Sequence, residues 1–258
     1  MGILNITPDS FYDGGKYREE KEILTQVTKM LREGATFIDV GAYSSRPGAM
    51  HISEKEELNR ILPVVKLLKS EFPEIIISVD TFRSDIAKKC ILEGAAIIND
   101  ISGGDADDKM FAMAADLQVP YIMMHMQGTP QNMQKDPRYN NITAEIIMSF
   151  AKKTAVLRTL GLNDIIIDLG FGFGKTIAHN YELLNNLEKF HSLDCPILTG
   201  ISRKSMLYKP LEISSKEALN ATTFANTIAL QKGSQILRVH DVKEAFEIVQ
   251  LNNLLGKK

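Results

Sequence analysis

The stretch "REGATFIDV", residues 32–40, contains the unit from which the fold is read. A helical pattern stops at Gly34, small or polar residues follow, and a short apolar run then closes on a polar side chain. The same grammar returns in "LEGAAIIND" (92–100), "TLGLNDIIIDLG" (159–170) and "QKGSQILRV" (231–239). Glycine just past a helix supplies the left-handed cap conformation. A continuous apolar run of this length reads as a strand buried on both faces, as in a parallel sheet. Each unit is therefore helix, tight turn, strand.

Working outward, further strands fit at Gly2 to Ile6, Ile75 to Val79, Tyr121 to Met124 and Ile197 to Gly200, two of them announced by the breakers Pro73 and Pro196. Helical patterns fill the intervals at about 17–33, 53–70, 84–93, 108–117, 142–160, 178–190, 215–232 and 242–255, with Ser53 ahead of Glu56 as a capping-box signal. Eight alternations over 258 residues give the pattern of a (β/α)8 TIM barrel in the α/β class. An open doubly wound sheet is the rival, but it rarely repeats so regular a unit eight times. Nothing resembling a linker interrupts the series, so residues 1–258 read as a single domain with a frayed tail at Gly256-Lys257-Lys258.

The composition is that of a soluble globular chain, 44% hydrophobic and 24% charged, with ample length for a core. A net charge of -2 with dispersed basic residues argues against a nucleic-acid surface. No segment approaches the roughly 20 apolar residues that span a bilayer, and the short apolar start "MGILNI" lacks the basic region of a secretory leader. Cys90 and Cys195 are far apart and suggest neither a disulfide framework nor a zinc site. A reduced, cytoplasmic protein is expected.

A barrel's chemistry sits where its strands end, so the residue closing each apolar run matters most. In order these are Asn5, Asp39, Asp80, Asn99 with Asp100, His125, Asp168, Ser202 to Lys204, and Arg238 with His240. A lone Asp at a strand end is commonly a turn former; polar exits on all eight strands are harder to explain that way. Carboxylates and an amide suit the amino-imino edge of a flat heterocycle, since an ionised Asp accepts from two parallel N–H groups. Lys204, Arg238 and His240 are donors for an anionic group such as diphosphate. Met123 and Met124 fit either plain core or a thioether beneath a planar ring. Two loops, "NITPDSFYDGGKY" and "GAYSSRPGAMHIS", are long enough to be binding elements.

The loop "DLGFGFGKT" (168–176) ends like a nucleotide phosphate-binding loop, but that pattern needs a glycine where Leu169 stands. The alternating Gly170, Gly172 and Gly174 also miss the dinucleotide spacing. Lys175 reads as a residue that orders the loop.

Taken together, "GILNITPDSFYDGG", "SSRPGA", "SVDTF", "AAIINDISGG", "MMHMQGTP", "DLGFGFGK", "GISRKS" and "LRVHDV", in this order over nearly the whole chain, resemble the dihydropteroate synthase family. The resemblance implies a barrel enzyme that works as a homodimer and uses Mg2+ to help hold a pterin diphosphate, which it joins to p-aminobenzoate. It implies that Asp80, Asn99 and Asp168 bind the pterin edge, with Met123 beside the ring and Lys204 reaching the ring carbonyl and N5. Arg238 would stack on the pterin and, with His240, meet the diphosphate. Asn5 would be the metal ligand, Ser45 and Arg46 would reach the diphosphate, and Arg46, Pro47, Phe173, Ser202 and Lys204 would form the p-aminobenzoate pocket that sulfonamides contest. Asp80, Asp168, Lys204 and Arg238 are the expected catalytic set.

Three departures from the family pattern stand out. Leu169 follows Asp168 where proline is usual; Tyr43 and Ser45 replace a carboxylate and a threonine; and the chain starts at the first strand, lacking the usual N-terminal hairpin, which is expected to expose apolar surface at the barrel floor. A pterin-binding methyltransferase on the same barrel would share the carboxylates and the amide but not "SSRPGA", "SRK" and "RVHD". A non-catalytic pterin-binding homologue would be expected to lack site residues, and none is missing.

Overall fold

A computed structural model describes residues 1–6, 15–44, 51–129, 133 and 136–256, the side chains of 15–19 excepted. The repeat glycines do what the sequence asks of them. Gly34, Gly94, Gly161 and Gly233 have φ of 98°, 102°, 90° and 91°, a region that side chains with a Cβ rarely adopt. Each reverses the chain from a helix into the next strand.

Strand β1 (Gly2–Asn5) leads to α1 (Gly15–Arg32), β2 (Phe37–Gly41) to α2 (Glu54–Glu71), β3 (Ile76–Asp80) to α3 (Ser84–Leu92) and β4 (Ile97–Asp100) to α4 (Met110–Leu117). The second half continues with β5 (Tyr121–Met124), α5 (Ile142–Thr159), β6 (Ile165–Asp168), α6 (Ile177–Asn185), β7 (Ile197–Thr199), α7 (Ser205–Tyr208), α8 (Leu219–Gln231), β8 (Ile236–Leu237) and α9 (Val242–Leu255). All neighbouring strands pair in parallel in chain order. The ring closes where Ile3 N–H bonds the Val239 carbonyl at 3.0 Å and Val239 N–H bonds that of Met1 at 2.9 Å. Sequential order with closure excludes the doubly wound rival, whose strand order reverses at a switch point.

Two details differ from the sequence reading. The pattern at 178–190 divides into α6 and a 3-10 helix, Leu187–Leu193, while Lys204 opens an unforeseen single turn, α7. The capping box at Ser53 is half-formed: its Oγ accepts from Glu56 N–H at 3.2 Å, but the Glu56 carboxylate turns to Arg60, one helical turn on.

Side-chain alternation divides the apolar residues between two cores. Outward-facing Leu4, Ile38, Val40, Ile77, Val79, Ile98, Ile165, Ile167 and Ile197 pack beneath the helices in one large cluster. Inward-facing Ile97, Ile122 and Leu198 fill the barrel axis with Phe37, Ile166 and Ile236 around them. At the floor Ile76 is 37% exposed. Above this apolar plug the inward positions turn polar, which places the site at the C-terminal mouth.

Glycine is demanded most strictly just past β6. Gly170 has φ +66°, and a Cβ there would lie 1.9 Å from the His125 carbonyl oxygen, whereas Gly161 (φ +90°) has nothing within 4 Å. Gly161→Ala is expected to cost only the left-handed strain of about 1–2 kcal/mol. Gly170→Ala adds a backbone clash and should lower the melting temperature by more than twice as much in calorimetry of the two variants.

Candidate active site at the barrel mouth

Asp39, in the middle of β2, is fully buried. Its neighbours Ile38 and Val40 face the helices, so alternation turns Asp39 into the barrel. There it accepts from Ser78 Oγ at 2.6 Å, Asn99 Nδ2 at 3.1 and 3.2 Å, and Arg238 Nε at 2.6 Å. The carboxylate can only accept, so it fixes the Asn99 amide with its nitrogen inward and leaves the amide oxygen for a ligand. Arg238 reaches on to Asp80, its Nη2 donating to Oδ2 at 2.8 Å. One guanidinium thus joins β8 to β2 and β3. Gly41 makes this possible, since a Cβ there would crowd Asp80 Cβ at 3.3 Å.

Burial sets the protonation of this group. It pushes the Asp80 carboxyl up to about 7, with Arg238 pulling the other way and Asp39 adding to the rise. Burial also opposes the charge on Arg238, but the two carboxylates outweigh it and hold Arg238 above its ordinary range. Asp168, across the mouth, is raised by burial against the pull of Lys204 and of the Gly170 N–H, which donates to it at 2.8 Å.

Lys204, at the start of α7, donates to the Phe171 carbonyl and sits 4.6 Å from the centre of the Phe173 ring, a cation–π contact. Burial lowers it to about 8, against the attraction of Asp168. Within the glycine-rich loop Lys175 points inward, donating to the carbonyls of His125, Gly170 and Phe173 at 3.1, 2.9 and 2.9 Å. It orders the loop, as its sequence reading anticipates. Leu169, in the place of the usual proline, is fully buried in the outer core.

Asn5 ends β1 beside Gly41. Past β7 and β8, Ser202 Oγ lies 3.0 Å from His240 Nδ1 and accepts the His240 N–H at 3.2 Å. Ser202 is buried and His240 exposed. Asp80, Asn99, Asp168, Lys204, Phe173, Arg238, Ser202 and His240 therefore come from strand exits that open on one mouth. Met123 does not share it. It packs in the outer cluster under the helices, while Ile122 on its one side faces the axis. By parity Met124, opposite Asp168 in the strand register, is the inward methionine. Ser45, Arg46 and Pro47 lie outside the described residues.

Tyr43, standing where a carboxylate is usual, is built into the wall. Its ring meets Phe82 edge-on at 5.0 Å, lies 5.7 Å from the Arg83 guanidinium, and its hydroxyl is 3.1 Å from His51 Nδ1. Arg83 is in turn paired with Glu57, which is buried and also accepts from Thr81 Oγ1 at 2.6 Å. Sequence reasoning placed Asp39 among the strand exits but gave it no role, and it missed the Arg83–Glu57 pair and the bidentate bond between Arg203 and Asp241. The inward parity of Asp39 is the signal that was available.

Among the described residues no group of three or more His, Cys, Asp or Glu side chains could hold a metal, and no helix is long and apolar enough to cross a membrane.

Carboxylates, an amide and two part-buried cations gathered at one barrel mouth suit a flat, nitrogen-rich ring that carries an anionic arm. The family model for pterin-binding enzymes matches residues 1–240. The dihydropteroate synthase of Escherichia coli K12 is 42% identical over 253 residues, spanning 97% of this chain and 89% of that one. Among solved structures, Yersinia pestis dihydropteroate synthase with a sulfonamide drug superposes with a TM-score of 0.93 at 39% identity, covering 100% of this chain and 94% of that one. The Xanthomonas albilineans dihydropteroate synthase with 4-aminobenzoic acid gives 0.92 at 32% identity, covering 100% and 92%. The chain belongs to the pterin-binding enzyme family and, within it, to the dihydropteroate synthases.

The Lys204 ammonium is expected to titrate with a midpoint of about 8, read from its Nζ resonance in a lysine-labelled sample. Asp168 supports the charged form, so Asp168→Asn should move that midpoint lower; an unchanged midpoint would show that the two do not interact.

Proposed function

We propose that this chain condenses (7,8-dihydropterin-6-yl)methyl diphosphate with p-aminobenzoate, giving 7,8-dihydropteroate and diphosphate. The observation that carries the reading is the joint presence, at one mouth, of the Asp39–Arg238–Asp80 network and of Lys204 held at the Phe173 ring. In this reading Asp80, Asn99 and Asp168 take the amino-imino edge of the pterin, and substrate N–H groups replace Arg238 Nη2 at Asp80. Arg238 keeps its bond to Asp39 while its guanidinium face covers the ring. Met123 keeps only an indirect part, through the outer core on which β5 rests.

The amine nitrogen of p-aminobenzoate attacks the exocyclic methylene, a C–N bond forms, and the C–O bond breaks with its electron pair leaving on diphosphate. The amine proton passes to solvent. Carboxylates under an electron-rich pterin stabilise positive charge at the methylene, while Arg238, His240 and the residues 45 and 46 favour the departing anion. Phe173, Lys204, Ser202, Arg46 and Pro47 receive the second substrate. Mg2+ suits the donor set: a small hard cation keeps most of its waters and binds mainly through substrate phosphates, so the Asn5 oxygen is ligand enough from the protein. When bound, it supplies charge neutralisation on the leaving group.

The whole chain, 1–258, acts as one domain in this reading, placed in the cytoplasm and working as a homodimer. An apolar groove between α6 and α8 supports the dimer: Phe224 is 64% exposed and Leu211 57%, with Tyr181 beside them.

The test is diphosphate release from the pterin diphosphate with Mg2+, with and without p-aminobenzoate, and identification of dihydropteroate by mass. Release that ignores p-aminobenzoate would overturn the reading. Asp80→Ala and Asp168→Ala should each lower kcat/KM by about 100-fold or more while circular dichroism stays that of the folded barrel.

A further inference from the structure

Arg203 lies next to Lys204 in the chain, yet it turns away from the mouth. Its backbone has φ +55°, uncommon for a residue with a long side chain, and its N–H donates to Thr222 Oγ1 of α8 at 3.0 Å. The guanidinium forks onto Asp241, Nε to Oδ2 at 2.9 Å and Nη2 to Oδ1 at 2.8 Å. Its remaining arm, Nη1, donates to the carbonyls of Ser215 and Lys216 at 2.9 and 2.6 Å. The donors are thus spent on three separate pieces of chain, and the pair is only 24% and 18% exposed.

This clasp spans the exits of β7 and β8, the ring's shortest strands at three and two residues. A second link crosses the same gap, Ser202 Oγ to His240 Nδ1 at 3.0 Å. The mouth residues Lys204 and His240 are each covalent neighbours of a clasp residue.

We infer that Arg203 and Asp241 form a positioning pair, which fixes His240 at the anion-binding rim and so sets the affinity for the substrate's diphosphate arm. The inference rests on the synthase reading for the identity of that arm. Asp80, Asn99 and Asp168 stand on other strands, and the two ring-facing cations have anchors of their own, Arg238 on Asp39 and Asp80 and Lys204 on the Phe171 carbonyl, so the pair should leave the pterin ring's affinity largely alone.

The informative variants are Arg203→Gly, which keeps a residue at ease with φ +55° while removing the fork, and Arg203→Lys, which keeps the charge but cannot bind Asp241 through two parallel bonds. Calorimetry would compare a pterin diphosphate with the 6-hydroxymethyl pterin that lacks the diphosphate, alongside steady-state kinetics. The wild type should bind the diphosphate form far more tightly. Both variants should lose about tenfold or more of that advantage and raise KM for the pterin diphosphate to match, with the affinity for the diphosphate-free pterin within about twofold of wild type. Asp241→Asn combined with Arg203→Gly should be no worse than Arg203→Gly alone, because both act through one contact. Unaltered binding ratios would overturn the inference, and so would an equal loss of both pterins, which marks a merely structural pair. A wild type that binds both ligands but makes no product would instead sink the synthase reading, leaving the pair to be judged on the binding ratio alone.

Discussion

A guanidinium shared between two carboxylates inside a barrel is the constraint on which the site depends. Arg238 cannot be buried alone, since an unpaired charge out of water is severely destabilising, and Asp39 and Asp80 cannot be buried together without a cation between them. Each makes the others tolerable. The arrangement reaches beyond the three: Asp39 also sets the Asn99 amide and holds Ser78, so a residue with no access to solvent decides what a ligand encounters above it. The apolar plug of Ile97, Ile122 and Leu198 beneath supplies the low-dielectric floor that makes these bonds strong.

The same network explains the strand count of the site. Arg238 arrives on β8 and its partners on β2 and β3, so the closed ring must exist before the three can meet. Closure in turn relies on very short strands at β7 and β8, where main-chain pairing is sparse. Side-chain links such as Arg203 to Asp241 and Ser202 to His240 stand in for the missing ladder, close to where charge must be handled.

How much of this could be read from sequence follows from which physical signals are local. Gly34, Gly94, Gly161 and Gly233 announced the unit because a left-handed turn accepts little else, and a polar residue closing an apolar run marked each strand exit. The direction of a side chain within the apolar run "YIMM" carried no such marker: both faces of that strand are buried, so nothing local distinguished Met123 from Met124. Asp39 was visible as a polar exit, but its three partners lie 39, 60 and 199 residues away. Arg203 and Asp241, 38 residues apart, are invisible for the same reason, and a positive φ at an arginine has no compositional trace. The family resemblance supplies the expected ligand-facing set, while the residues that hold that set in place had to be seen in three dimensions.

The inward-pointing lysine of the β6 loop gives the mouth its polarity. A glycine-rich loop usually turns its N–H groups toward a guest anion; here two of the loop's carbonyls, those of Gly170 and Phe173, and that of His125 past β5 turn toward Lys175, whose amine burial brings down to about 7. The loop is thus filled by its own side chain, a buttress that presents the Phe173 ring instead of a phosphate cradle. The groups read as meeting an anion, Arg238 and His240, stand instead past β8, two strands along the ring. On the synthase reading, the ring end and the anionic end of the substrate are then told apart by which strand exits receive them.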